Sequence, residues 1–244
     1  DRERAEELIR QGREKLDLAL RGGGLGTWDW NIQTGDVHFS DRWARMKGYA
    51  PEEIEPVLES WKNLVHPDDL PGGLALLNAH LEGKTASYEA EFRMRHRSGN
   101  WIWILDRGRV LEWDDRGRPL RACGTHLDIT ERKHMEQALY DQQVELDQIF
   151  EALPDAMVYA DTKRCMERVN SSFSRVFGYE PDEVIGRSTE ILYADPDEFR
   201  EQGRRRFHPE AEESYEPYEV EYRRRDGSVF PGETIGTPVR DGQG

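Results

Sequence analysis

The sequence predicts an α+β chain of two similar units, each one antiparallel sheet with its helices gathered on one face. Three observations lead there. First, words recur at a constant offset of 130. "GYAPEEI" at 48–54 returns as "GYEPDEV" at 178–184, and "YEAEFR" at 88–93 returns as "YEVEYR" at 218–223. "DRERAEELI" at 1–9 aligns with "ERKHMEQAL" at 131–139, and Leu16-Asp17 with Leu146-Asp147. Second, each unit runs in one order: a helical connector, two strand-like stretches, several helices, then three strand-like runs. Third, the strand-like stretches alternate with period 2. The expected divisions are a connector at 1–21, a first unit at 22–130, a connector at 131–152 and a second unit at 153–244.

The elements of the first unit follow from local chemistry. "TWDWNI" at 27–32 puts Trp28, Trp30 and Ile32 on one face and Thr27, Asp29 and Asn31 on the other. "QTGD" turns the chain into a second strand, "VHFS". Ser40 or Asp41 caps a short helix carrying Trp43 and Met46, and Gly48 stops it. A longer helix is expected at 68–82. Strands are expected at 86–97, 100–113 and 118–129, separated by the turn sequences "RSGN" and "DDRGRP".

Of 244 residues, 36% are apolar and 34% charged, with a net charge of -15 and a pI near 5.0. That balance argues against a nucleic-acid groove or insertion at an anionic membrane surface. Cys123 and Cys165 are too few for a disulfide framework and lack metal-ligand spacing, which fits a reducing, cytoplasmic compartment. No apolar run reaches the roughly 18 residues of a membrane span, and the charged start has no leader pattern.

These words resemble the PAS family of bacterial sensory modules. The resemblance rests on Gly48-Tyr49 with Pro51-Glu52-Glu53, on "VHPDD" at 65–69, on the Gly99 hairpin, and above all on "DITERK" at 128–133. In the second unit it rests on Asn170, Phe177-Gly178-Tyr179, "IGRS" at 185–188 and "RRDGSVFPGE" at 224–233. It covers nearly the whole chain. It implies a five-stranded antiparallel sheet in each unit, with the fifth strand between the first and the fourth. That central strand would pass signals through Asp128, Ile129 and Thr130 into the following helix. Asp and Thr also suit the corner as helix caps.

The connectors carry a further pattern. Met135, Leu139, Gln142, Leu146, Ile149 and Leu153 are spaced 4, 3, 4, 3, 4, an a/d seam with one polar position. Ala5, Ile9, Gly12, Leu16 and Ala19 repeat it. Such a stripe must be covered, by a twin helix in a parallel homodimer or by the unit's own sheet; the dimer is the preferred expectation.

Cofactor and metal signals are weak. Trp28, Trp30, Trp43, Trp61 and Trp103, with Trp101, would line any ligand pocket, although core packing on a half-buried sheet is the preferred reading of these aromatics. The reactive Cys of flavin photosensors is missing, since "GRST" stands at 186–189. Haem ligation would fall to His80, His66 or His208, none well placed. No cofactor or metal is therefore expected, and a flavin or haem sensor of redox, gas or light is the alternative. "RRR" at 204–206 and 223–225 reads as a solvated face rather than an anion site, "NSS" at 170–172 as a helix start, and "RGGGLG" at 21–26 lacks the context of a dinucleotide site. There is no catalytic constellation.

The expectation is a tandem sensory and dimerisation segment of a bacterial signalling protein, with an output domain such as a histidine kinase or a cyclic-dinucleotide enzyme elsewhere in the parent. At the repeat offset, the second unit's last strand would fall near 248–259, after the turn "RDGQG". That unit is expected to need a central strand from further residues or from another chain.

Overall fold

The computed structural model describes residues 2–207 and 216–236. The chain divides into two compact units, one through Ala138 and one from Leu139. Ala5's side chain, His208 and the turn at 240–244 lie outside the described residues.

The first unit begins with helix α1 (Arg2–Gly22). Strands β1 (Gly26–Asn31) and β2 (Val37–Phe39) follow, then helices α2 (Asp41–Arg45), α3 (Leu58–Leu64) and α4 (Leu70–Leu81), and strands β3 (Tyr88–Arg95), β4 (Trp101–Trp113) and β5 (Pro119–Asp128). The sheet order is β2-β1-β5-β4-β3, antiparallel throughout. β2 stops at Phe39 because Ser40 turns away to cap α2, its hydroxyl accepting from Trp43 N. Gly48 ends the segment after α2 at φ 79°, a conformation that favours glycine.

The alternation predicted for β1 holds: Trp28 and Trp30 turn inward onto a core with Trp43, Phe92, Met94 and Ile104. The Trp28 indole lies against β4 and β5 where Gly108 pairs with Gly124. A Cβ on Gly124 would stand 2.1 Å from Arg107 O and 2.4 Å from the Trp28 ring.

Helix α5 (Thr130–Ala152) follows β5. The second unit then adds β6 (Val158–Ala160), β7 (Met166–Val169), α6 (Ser171–Phe177), α7 (Pro181–Val184), α8 (Pro196–Arg206), β8 (Tyr218–Arg223) and β9 (Val229–Thr234). Its core gathers Met166, Phe173, Val184 and Tyr222. Here the expected central strand is not among the described residues. Among the described residues the strands form two separate two-stranded sheets, β6-β7 and β8-β9. No described segment takes the place that β5 fills between β1 and β4, so β6 and β9 have no strand to bridge them. Val158, Tyr159 and Val229 are correspondingly exposed. The β6–β7 turn holds Arg164 at φ 63°, the only non-glycine at positive φ among the described residues.

Candidate functional site

The junction of β5 and α5 is built without a loop. Ile129 is buried, and its N–H donates to Trp103 O on β4 at 2.9 Å. Asp128 Oδ1 accepts from Thr130 N at 2.9 Å, which caps the helix as the sequence suggested. Thr130 does something else. Its hydroxyl accepts from Trp103 N at 2.9 Å, so it fastens the helix start to β4 rather than capping.

A second attachment was not legible in the sequence. Glu91, on β3, pairs with Arg132 and with Lys133 Nζ at 2.6 Å, both in the first turn of α5. Those cations hold the Glu91 carboxyl below its ordinary range, Lys133 contributing most. Lys133 also lies 5.4 Å from the centre of the Trp103 ring. Within the second unit, the last turns of α5 are tied to α6 through Asn170, which sequence reading took only for a helix start. Its side-chain nitrogen donates to Phe150 O at 3.1 Å and Asp155 O at 2.9 Å, and its oxygen accepts from Phe173 N at 3.0 Å.

The predicted seam splits from the core. Met135, Leu139, Gln142, Leu146 and Ile149 are all exposed on α5, with Leu139 at 70%. Ile9, Gly12, Leu16 and Ala19 are exposed on α1 as well. The stripe is not folded onto the unit's own sheet.

The tryptophans separate into three groups. Trp28, Trp30 and Trp61 line a cavity between the sheet and the helices, with Phe39, Tyr88, Asp106 and His126. Trp43 is fully buried beside that cavity but does not line it. Trp103 is a correction. Neighbouring strand residues face opposite ways, and with Ile104 and Asp106 buried among the helices, Trp103 falls on the outer face under Lys133. Trp101, 40% exposed, packs against His66. The cavity measures about 30 Å³, room for about two waters. A flavin or haem ring does not fit it without displacing the wall.

The histidines have local duties. His80 Nδ1 is 2.9 Å from Thr85 O and its Nε2 accepts from Val110 N at 3.0 Å, so neither nitrogen is free for a metal. His66 Nδ1 accepts from Asp68 N at the start of α4, and Asp69 clamps Arg93 with both carboxylate oxygens. Among the described residues no cluster has the makings of a metal site. In the arginine runs, Arg204 and Arg205 pair with Glu201, and Arg225 with Glu183.

The sequence also passed over three buried ionisable groups in the first unit: Lys47, Asp106 and His126. Lys47, which the sequence reading did not single out, is wholly enclosed.

Comparison with known proteins agrees with this geometry. Residues 36–126 and 145–244 each match a family model described as PAS fold. Sensor protein FixL of Bradyrhizobium diazoefficiens is 25% identical over 224 residues, which cover 89% of this chain and 43% of that protein. The probable diguanylate cyclase DgcE of Escherichia coli is 24% identical over 183 residues, 75% of this chain and 16% of that one. The chain thus spans less than half the length of either. A solved sensory box histidine kinase/response regulator from Burkholderia thailandensis is 38% identical and overlaps 55% of this chain and 98% of its own, with a TM-score of 0.49.

Proposed function

The chain belongs to the PAS fold family, in two tandem copies, and from that premise we propose that it is the sensory segment of a signalling protein whose first sheet drives helix α5 through Asp128, Ile129 and Thr130. The observation that supports this most is the absence of slack. β5 is central in its sheet, it leads directly into α5, and the junction is hydrogen-bonded to β4 through both Ile129 and Thr130. A change in sheet shape therefore has a stiff route to the helix.

In this reading, residues 22–130 and 153–244 are the two sensory domains, and 1–21 and 131–152 are connectors. The segment carries no chemistry of its own. The parent's output is a kinase or a cyclic-dinucleotide enzyme, in line with the names of the relatives, and the segment works in the cytoplasm; among the described residues no helix is long and apolar enough to cross a membrane. The exposed seam Met135, Leu139, Gln142, Leu146, Ile149 pairs two copies as a parallel homodimer, with Gln142 keeping the pairing adjustable.

The test is made in the parent protein. Asp128→Ala and Thr130→Ala each alter output activity or its response to stimulus. Wild-type output and response in both variants would leave the corner a structural feature only.

A further inference from the structure

The wall of the first unit's cavity carries more polar groups than the protein pairs. The indole N–H of Trp30 and that of Trp61, the Tyr88 hydroxyl and His126 Nδ1 are buried and meet no hydrogen-bond partner. All four side chains line the cavity. Each is at least nine-tenths buried, from Trp30 at 9% exposed to His126 at 1%. They come from four elements, β1, α3, β3 and β5. Asp106 on β4, also in the wall, is already faced by neighbours. Its Oδ1 accepts from Trp28 Nε1 at 2.7 Å, and its Oδ2 stands 3.2 Å from His126 Nε2. A hydrogen on the nitrogen that faces the carboxylate leaves Nδ1 as the ring's acceptor. Burial, and then the charge of Asp106, push the Tyr88 pKa up, so it stays a neutral hydroxyl. The wall thus presents two indole donors, one imidazole acceptor and a hydroxyl that serves either way.

The fold does not demand this wall. At the repeat offset Trp28, Trp30, Trp61 and Asp106 correspond to Val158, Ala160, Ile191 and Gly236. Buried donors without partners are costly, and the second unit has no side-chain donor or carboxylate at those places. Size and charge then limit what meets the four groups. About 30 Å³ is room for about two waters, which is about the bulk of a molecule of three heavy atoms. An anion of that size would be buried beside the Asp106 carboxylate, which is unfavourable. A hydrocarbon answers none of the groups, and an ammonium ion has no lone pair for the two indoles. A small primary amide answers all four. Its carbonyl oxygen has two lone pairs for Trp30 and Trp61, and its amino group has two hydrogens for Tyr88 and His126. An alcohol of similar size has one position fewer.

We propose that this cavity is a binding site for a small uncharged primary amide, of which formamide is the simplest, with Trp30 and Trp61 donating to its carbonyl and Tyr88 and His126 accepting from its amino group. Binding makes and breaks no covalent bond. That such an amide is what the segment senses rests on the sensory reading above; the binding itself does not.

The experiment uses the whole 244-residue chain with its indole nitrogens labelled for NMR. Formamide is the probe, and formate and methanol are the controls. Formamide is expected to shift the Trp30 and Trp61 indole signals together along a saturating curve. Half-saturation falls at about 1–10 mM, since three heavy atoms support about 1 mM at best. The exposed Trp101 and Trp113 signals show only a linear solvent drift. Formate gives no saturating shift, and methanol binds at least about fivefold more weakly, one hydrogen bond short. Tyr88→Phe weakens formamide by about fivefold. Trp61→Phe does the same, read at Trp30, and carries the test if Tyr88→Phe does not fold. The absence of a saturating shift at Trp30 and Trp61 up to about 100 mM formamide, well past the expected range, would overturn the site and leave the cavity to water. Formate or methanol binding as tightly as formamide would overturn the amide class. Wild-type affinity in both variants would overturn the assigned partners. If formamide binds as expected while the parent's output ignores Asp128→Ala and Thr130→Ala, the corner's signalling role fails and the binding site stands.

Discussion

Replacing Thr130 with Val isolates one hydrogen bond between the sheet and helix α5. The two side chains have nearly the same shape and similar helix propensity, so the change removes the hydroxyl and little else. What is lost is the 2.9 Å bond from Trp103 N. The amide is partly buried, and leaving such a donor unmet costs about 1–1.5 kcal/mol, the lower part of the range for buried groups. The sequence supplies an assay confined to the right unit. All seven tryptophans, Trp28, Trp30, Trp43, Trp61, Trp101, Trp103 and Trp113, precede residue 139, so indole emission follows the unfolding of the first unit alone. With a urea dependence of about 1–3 kcal/mol per M, the midpoint should fall by about 0.3–1.5 M. Thr130→Ser keeps the acceptor and should stay within about 0.2 M of wild type, inside the scatter of such measurements. A Val variant that also stays there, or a Ser variant that falls as far as Val, would refute the assignment of Thr130 as the tie to β4.

Three further outcomes are expected. Leu139→Glu with Leu146→Glu places charge on the exposed seam and shifts the chain toward monomer in light scattering; unchanged mass counts against a dimer through α5. The Glu91 carboxyl is held low by Lys133 and Arg132 in the folded state, so its contribution is present above the ordinary carboxylate value of about 4.3 and is lost as pH falls through the lower folded value. Glu91→Gln therefore flattens the acid side of the first unit's stability profile between about pH 5 and 3, read again by tryptophan emission. Arg164→Lys removes the bonds to Phe199 O at 2.6 Å and Tyr193 Oη at 3.1 Å and the stacking on Phe199 at 3.7 Å. It should speed amide exchange in β7 and α8 without moving the tryptophan transition.

The fold of the first unit was legible because its signals are local. Trp28 and Trp30 alternate with Asp29 and Asn31, Gly48 marks a stop, and the hairpin sequences mark reversals. The repeat offset then carried the same reading into the second unit, up to the point where a central strand would be needed. The corner at 128–130 was legible for the same reason, and Asp128 caps as expected. What failed depended on partners far away in the chain. Thr130 looked like a cap because nothing local reveals that Trp103 N lies within reach. Trp103 looked like a pocket residue because aromatics on a strand suggest a core, yet the inward face of β4 is the one with Ile104, Asp106 and Gly108. Lys47 was not singled out because nothing local distinguishes a lysine before glycine at a helix end. Only the packed sheet shows that Trp43, Asp106 and His126 close around it.

The Trp28–Gly108–Gly124 stack also bears on how a chain of two like units avoids misassembly. Tandem copies of similar sequence tend to exchange strands while folding. A foreign strand with any side chain at the position of Gly124 cannot enter the first sheet, because its Cβ would collide with Arg107 O and the Trp28 ring. In the opposite exchange, β5 would bring its glycine to a sheet that has Val158 where the first has Trp28, leaving a void where an indole should be. The glycine step thus keeps any strand with a side chain at that position out of the first sheet.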